Sequence, residues 1–259
     1  MGTPHPQIRL TPLAGDAEQP LLLLGPSMGT SGRRLWGGAA QLLSGHHVVA
    51  WDLPGHGGAP AHHHPLTLPQ LAEAVLTAVD AQLGAGQQFH VAGDSIGGAV
   101  ALLLALHHPE RVATSAALCS GSAFGGPQAW LERAALVRRE GIGPVLAGTP
   151  ARWFGSRAAA WPENRRQEAL TDLANVDVES YARLCEALAD YDIADLLPGI
   201  TPPVLCLAGA DDPVSPPEAM RRLAQRVGRG SFRVLEGVGH LAPLEAPRET
   251  AAALLDHVG

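Results

Sequence analysis

One pentapeptide in this chain combines residue types capable of covalent chemistry: Gly93-Asp94-Ser95-Ile96-Gly97. The β-favouring run Phe89 to Val91 leads into it, and the apolar, Ala- and Leu-rich run Ile96 to His108 follows. Strand, tight turn and helix form the context in which G-x-S-x-G lifts a serine hydroxyl to the top of a sheet as a nucleophile. Gly93 and Gly97 let two backbones pass closely around that serine. The helix N-terminus behind it carries free N–H groups, which favour developing negative charge. With 30 glycines in the chain, the pentapeptide could arise by chance; the flanking pattern gives it weight.

A serine nucleophile needs a base, a group that orients the base, and donors for the oxyanion. Behind an elbow of this kind the partners follow in the order Ser, acid, His. Gly209-Ala210-Asp211-Asp212-Pro213 comes directly after an apolar run, Val204 to Ala208, and offers either of two carboxylates. Gly239-His240-Leu241 follows the last strand-like run and offers the base. His46, His47, His62, His63 and His64 precede Ser95 and fit the order badly, while His107 and His108 end a helix and His56 sits in a Gly-rich turn. The first oxyanion donor is expected to be the N–H after the nucleophile, Ile96. The second is expected from the loop Gly25-Pro26-Ser27-Met28-Gly29, where Pro26 has no N–H to give. Met28 is the expected donor, with Ser27 next in order.

These residues require a scaffold that brings distant segments to one edge. Leu21 to Leu24, His47 to Trp51, Phe89 to Val91, Val112 to Cys119, Val204 to Ala208 and Phe232 to Leu235 read as strands, with a short candidate at Ile8 to Leu10. Helical spacing marks Trp36 to Leu43, Leu68 to Leu83, Ile96 to His108, Pro217 to Val227 and Arg248 to Val258 between them. Alternating strands and helices predict a mostly parallel sheet covered on both faces. Such sheets bind ligands at the carboxyl ends of their strands, where Ser95, the Asp pair and His240 would converge. Ser122 to Ile193 breaks the alternation with helical segments at Ala129 to Arg139, Ala147 to Phe154, Glu163 to Leu173 and Val178 to Leu188. The sheet pattern resumes afterwards. The expected division is therefore a core of residues 1–121 and 194–259 with a helical lid, 122–193, inserted in it.

The composition sets limits on function. Hydrophobic residues make up 46% of the 259 and charged residues 17%, enough for a large core, but aromatics are only 4%, so Leu, Val and Ala must fill it. The net charge of −7 argues against a nucleic-acid or membrane-surface partner. Three cysteines, two of them in expected buried strands, give no disulfide framework and suit a reducing compartment. There is no basic-then-apolar leader pattern and no apolar run of membrane-spanning length. The chain reads as cytoplasmic. His62-His63-His64 is the one low-complexity cluster, expected as a solvated loop rather than a metal site.

At these motifs the chain resembles the α/β-hydrolase superfamily, and within it the 3-oxoadipate enol-lactonases. The broad likeness rests on Asp52-Leu53-Pro54-Gly55-His56-Gly57, the Ser95 elbow, Gly209-Ala210-Asp211-Asp212-Pro213 and Gly239-His240-Leu241. The narrower one rests on Gly25-Pro26-Ser27-Met28-Gly29-Thr30, Ala129-Trp130-Leu131-Glu132-Arg133-Ala134, Arg152-Trp153-Phe154 and Tyr181 to Leu188. It runs from about Leu21 to the C-terminus. The Gly-x-x-Asp-Pro register of the superfamily selects Asp212 over Asp211. The resemblance implies hydrolysis of an enol-lactone to 3-oxoadipate through Ser95, His240 and Asp212, with no metal or organic cofactor. The substrate so implied is a small anionic lactone, for which an acidic protein needs a local cation. Arg33, Arg34, Arg133 and Arg152 are the candidates, with Trp130 and Trp153 as walls for the unsaturated ring. Two features depart from the lactonase pattern: Asp94 before the serine, and Arg33-Arg34-Leu35-Trp36, which lies one residue further from the Gly-Thr loop. A general carboxylesterase or haloperoxidase-like esterase would use the same three residues. A non-enzymatic ligand receptor is disfavoured by the complete set, and a haloalkane dehalogenase needs Asp where Ser95 stands.

Overall fold

A computed structural model describes residues 5–259. The strands are β1 (Arg9–Ala14), β2 (Leu21–Gly25), β3 (His47–Asp52), β4 (Phe89–Asp94), β5 (Val112–Leu118), β6 (Val204–Gly209) and β7 (Gly230–Leu235). The helices of the sheet layers are α1 (Gly32–Ala40), α2 (Leu68–Leu83), α3 (Ile96–His107), α9 (Pro217–Arg226), α10 (Ala242–Glu245) and α11 (Pro247–Val258). Between β5 and β6 lie α4 (Pro127–Glu140), α5 (Gly143–Gly148), α6 (Pro150–Trp153), α7 (Glu163–Ala174) and α8 (Val178–Ala189).

All seven strands join one sheet in the order β1-β3-β2-β4-β5-β6-β7, and every pairing is parallel except β1 with β3. The apolar runs explain the order. β3 and β6 are buried along their whole length, as inner strands covered on both faces must be. β1 and β7 alternate between exposed and half-buried residues and close the two edges. Helix α3 is apolar all round and buried from Ile96 to Ala105, as a helix packed centrally on β4 and β5 must be. Among the described residues no helix is long and apolar enough to cross a membrane.

Local chemistry moved several boundaries from those read in the sequence. The first helix spans Gly32–Ala40 rather than Trp36 to Leu43, because Ser31 caps it by accepting the Arg34 N–H at 3.3 Å. Ala147 to Phe154 is not one helix: Pro150 has no N–H to continue the first turn, and a second short helix starts there. β1 extends to Ala14 and pairs antiparallel. The loop at His62-His63-His64 is not simply solvated. His62 is buried and donates its backbone N–H to Ser180 Oγ at 2.9 Å, while His63 Nε2 meets Asp177 Oδ1 at 2.9 Å, so the loop docks on the start of α8.

The helices between β5 and β6 leave and rejoin the sheet at one point. The Ile193 N–H donates to the Ser122 carbonyl at 2.8 Å, and Ala123 and Asp192 form an isolated antiparallel bridge. Within the insertion, α4 and α8 pack against each other.

Candidate active site

β4 delivers Ser95 at the carboxyl edge of the sheet in a left-handed conformation, φ 55°, one of two such non-glycine residues among those described. That conformation costs about 1–3 kcal/mol and persists only where the surroundings hold it. Here they do: the Ser95 N–H donates to Leu118 O at 2.8 Å, and Ser120 Oγ donates to Ser95 O at 2.7 Å. The turn also needs its glycines. A Cβ on Gly93 would sit 2.1 Å from the Gly97 carbonyl carbon, and one on Gly97 would sit 2.6 Å from the Gly25 carbonyl carbon.

The chain turns past β7 to bring His240 over the serine. His240 Nε2 lies 2.9 Å from Ser95 Oγ, and Nδ1 lies 2.9 Å from Asp212 Oδ2. A carboxylate can only accept, so Nδ1 carries the proton and Nε2 is left to accept from the Ser95 hydroxyl. Asp212 is held in turn: its Oδ1 accepts the N–H groups of Val214 at 2.8 Å and Ser215 at 3.2 Å. All three residues are buried. Asp211 points elsewhere and accepts the Ser156 N–H at 2.7 Å, tying the chain after α6 to this loop. Such an arrangement can deprotonate a serine as it attacks a carbonyl.

Met28 and Ile96 flank the serine. Neither N–H is taken by a backbone acceptor among the described residues, so both are free to donate to an oxyanion. Pro26 O is already used, by the Gly97 N–H at 3.0 Å.

A cavity of about 110 Å³ opens over Ser95 and His240. Ser27 and Met28 line it from the sheet side, and Trp130, Arg133, Arg152 and Trp153 from the inserted helices. Phe124, Thr149, Leu173, Tyr181, Leu188 and Val214 complete it. The sequence reading missed these six. Tyr181 and Leu188 lie two turns apart on the apolar stripe of α8, a stripe that had no assigned partner. Arg33 and Arg34 do not reach the cavity. Capping at Ser31 sets the phase of α1 so that Leu35 and Trp36 face the core; Arg33 is exposed and Arg34 Nε pairs with Asp172 Oδ1 at 3.1 Å. Arg133 and Arg152 do line the cavity, and neither has a carboxylate partner among the described ion pairs. Arg133 stacks over Trp130 at 4.6 Å. Arg152 donates to Thr149 Oγ1 at 3.1 Å and Val145 O at 3.3 Å, and burial together with Arg133 lowers its pKa.

Asp94 lies behind the elbow, fully buried, with both carboxyl oxygens lacking a well-formed hydrogen bond among the described residues. Burial, with Asp212 and Glu245 nearby, pushes its pKa well above the ordinary carboxylate value of 3.8. An acid raised on folding binds its proton more tightly in the native chain than in the unfolded one. Between the unfolded and native values, stability therefore falls as pH rises. A tenfold difference in proton affinity is worth about 1.4 kcal/mol, or roughly 3 °C in Tm for a chain of this size. Asp94→Asn keeps the shape and cannot ionise. Its Tm gain over the wild type is expected to be larger at pH 8 than at pH 5. Thermal melts at the two pH values check this, and an equal or reversed difference would contradict it.

A seven-stranded, mostly parallel sheet with helices on both sides and Ser95, His240 and Asp212 joined at its carboxyl edge is the frame of a hydrolase. The chain belongs to the alpha/beta hydrolase fold family, whose model matches residues 20–247. Its relatives include the 3-oxoadipate enol-lactonase 2 of Acinetobacter baylyi, 32% identical over 90% of this chain and 86% of that protein. A hydrolase structure from Pseudomonas aeruginosa superposes with a TM-score of 0.88 at 30% identity, covering 97% of this chain and 93% of the other. The enol-lactonase of Burkholderia xenovorans superposes with a TM-score of 0.87 at 26% identity, covering 97% and 95%.

Proposed function

We propose that this hydrolase opens a small enol-lactone bearing a free carboxylate, 3-oxoadipate enol-lactone being the substrate that fits the reading best. The observation that carries it is the pair of arginines, Arg133 and Arg152, in the cavity above Ser95 without a protein carboxylate to neutralise them. In a chain of net charge −7, two half-buried guanidinium groups facing one cavity call for an anionic ligand. The flat faces of Trp130 and Trp153 suit an unsaturated ring, and about 110 Å³ suits a compact one. The likeness to enol-lactonases supports the same choice.

His240 takes the Ser95 proton as Oγ attacks the lactone carbonyl, and Asp212 stabilises the imidazolium. The Met28 and Ile96 N–H groups hold the tetrahedral oxyanion. Collapse breaks the ring C–O bond and expels an enolate oxygen, which leaves more readily than an alkoxide. His240 protonates it, and the enol tautomerises to the ketone. A water activated by His240 then releases the acyl group and restores Ser95. Residues 122–193 act as the lid that brings the arginines and tryptophans to this centre.

The test compares two substrates across Arg133→Ala and Arg152→Ala. Loss of a charge-assisted carboxylate contact is worth about 1.5–3 kcal/mol, so KM for the carboxylated lactone is expected to rise roughly 10- to 100-fold in at least one variant. Hydrolysis of a neutral aryl acetate should change little. Equal effects on both substrates in both variants would remove the carboxylate reading. The remaining reading, a general esterase, is supported if the wild type prefers linear aryl esters to the lactone.

A further inference from the structure

Glu245 plays no part in the steps above, yet it is buried within the same loop system. Its two carboxylate oxygens accept one N–H each from segments far apart in sequence: Gly155 to Oε2 at 2.9 Å and Gly239 to Oε1 at 2.9 Å. Gly155 follows the cavity wall Arg152-Trp153, and Gly239 precedes His240. The two segments touch directly as well, since the His240 N–H donates to Trp153 O at 2.9 Å. They lie so close that a Cβ on Gly155 would sit 2.5 Å from the Gly239 nitrogen. A carboxylate that spans both N–H groups is the third side of this clasp.

We propose that Glu245 is a positioning residue whose carboxylate locks the cavity wall at Trp153 to the loop carrying His240, so that substrate seat and general base move as one piece. The proposal rests on His240 acting as the base for Ser95. Both acceptor sites require the ionised form: a protonated carboxyl has turned one oxygen into a donor, which cannot accept as before. Burial pushes Glu245 up to about 7 against the pull of its N–H partners. Asp211, on the loop after β6, favours its protonation, whereas Asp94, at the end of β4, is itself raised by the Glu245 charge. On α11 Glu249 is engaged by Arg157, and on α1 Arg34 is engaged by Asp172. On α7 Arg165 donates to the Leu244 carbonyl at 3.4 Å, one residue from Glu245, and the clasped loop itself carries His240. The clasp therefore loosens as pH falls through about 7.

The experiment is the pH profile of kcat/KM for the enol-lactone in the wild type, Glu245→Gln and Glu245→Asp, with Ser95→Ala as the control. The wild type is expected to lose activity on the acid side with a slope approaching two protons, one of them taken up by Glu245. Glu245→Gln leaves one N–H facing an amide NH₂; it is expected to lose roughly 10-fold or more in kcat, raise KM and show a one-proton acid limb. Glu245→Asp withdraws the oxygens by one methylene but keeps the charge, so it loses kcat and retains the two-proton limb; it carries the test if the glutamine variant does not fold. A one-proton limb in the wild type, or a glutamine variant with wild-type kcat and slope, overturns the proposal. If Ser95→Ala itself keeps turnover, the failure lies in the reading of the nucleophile instead.

Discussion

Ser95→Ala is expected to reduce hydrolysis by about a millionfold, the loss seen when a serine nucleophile is removed from a triad and only the oxyanion donors and binding contacts remain. The change deletes one atom, Oγ, whose hydrogen-bond partner is His240 at 2.9 Å. The features that hold the turn are backbone and neighbouring groups: the Ser95 N–H on Leu118 O, Ser120 Oγ on Ser95 O, and the side-chain-free crossing of Gly93 and Gly97. Alanine adopts the φ of 55° with the same strain as serine. Folding should therefore survive. Purified variant with wild-type Tm and turnover near background is the expected outcome. Retention of more than about one per cent of activity would show that another group attacks the carbonyl, since a water held by the remaining donors falls short of that by orders of magnitude.

Asp212→Asn is expected to slow turnover by roughly ten-thousandfold, as loss of the orienting carboxylate does in such triads. The surroundings of Asp212 dictate how the amide would sit. Oδ1 accepts the N–H groups of Val214 and Ser215, and an asparagine must keep its oxygen there. Its NH₂ then faces His240 and donates to Nδ1. The imidazole proton is driven to Nε2, which can no longer accept from Ser95. Asp211→Asn makes a contrast: its partner is the Ser156 N–H, which an amide oxygen still accepts, so turnover should change by less than about threefold. Steady-state kinetics on both variants decides between the two aspartates, and the reverse ranking would overturn the assignment.

The elbow was legible in the sequence because its constraints are local. Gly93, Ser95 and Gly97 must be adjacent in the chain for the turn to form, and the buried runs of β2, β3 and β6 carry their own apolar signature. The positions of Asp212 and His240 after strands were legible for the same reason, since a parallel sheet sends every strand end to one edge. What the sequence hid depends on contacts between distant segments. Arg33 and Arg34 were expected at the cavity, but one capping hydrogen bond at Ser31 turned α1 and sent Arg34 to Asp172. Leu173 and Tyr181 belong to the cavity only because α7 and α8, in the segment between β5 and β6, bring them to Ser95 from far along the chain. Glu245 sits in an unremarkable Ala-Pro-Leu-Glu run, and nothing there announces that it will bridge Gly155 and Gly239.

The hydrogen bond from Ile193 to Ser122 has a consequence for how this enzyme can change. A segment whose two ends meet behaves as a closed loop, and the entropy of closing it rises only with the logarithm of its length, by about 0.6 kcal/mol per doubling. The sheet on either side, β5 paired with β6, needs only that the ends be brought together. The polypeptide between those ends can lengthen, shorten or be exchanged while the strand register and the elbow stay as they are. In this molecule the reacting groups belong to the frame of the sheet, and the arginines and tryptophans that line the cavity ride on the segment between the two joined ends. Selectivity can then diverge through exchange between two neighbouring points, provided the new segment still offers a backbone N–H to Glu245 and a carbonyl to the His240 N–H.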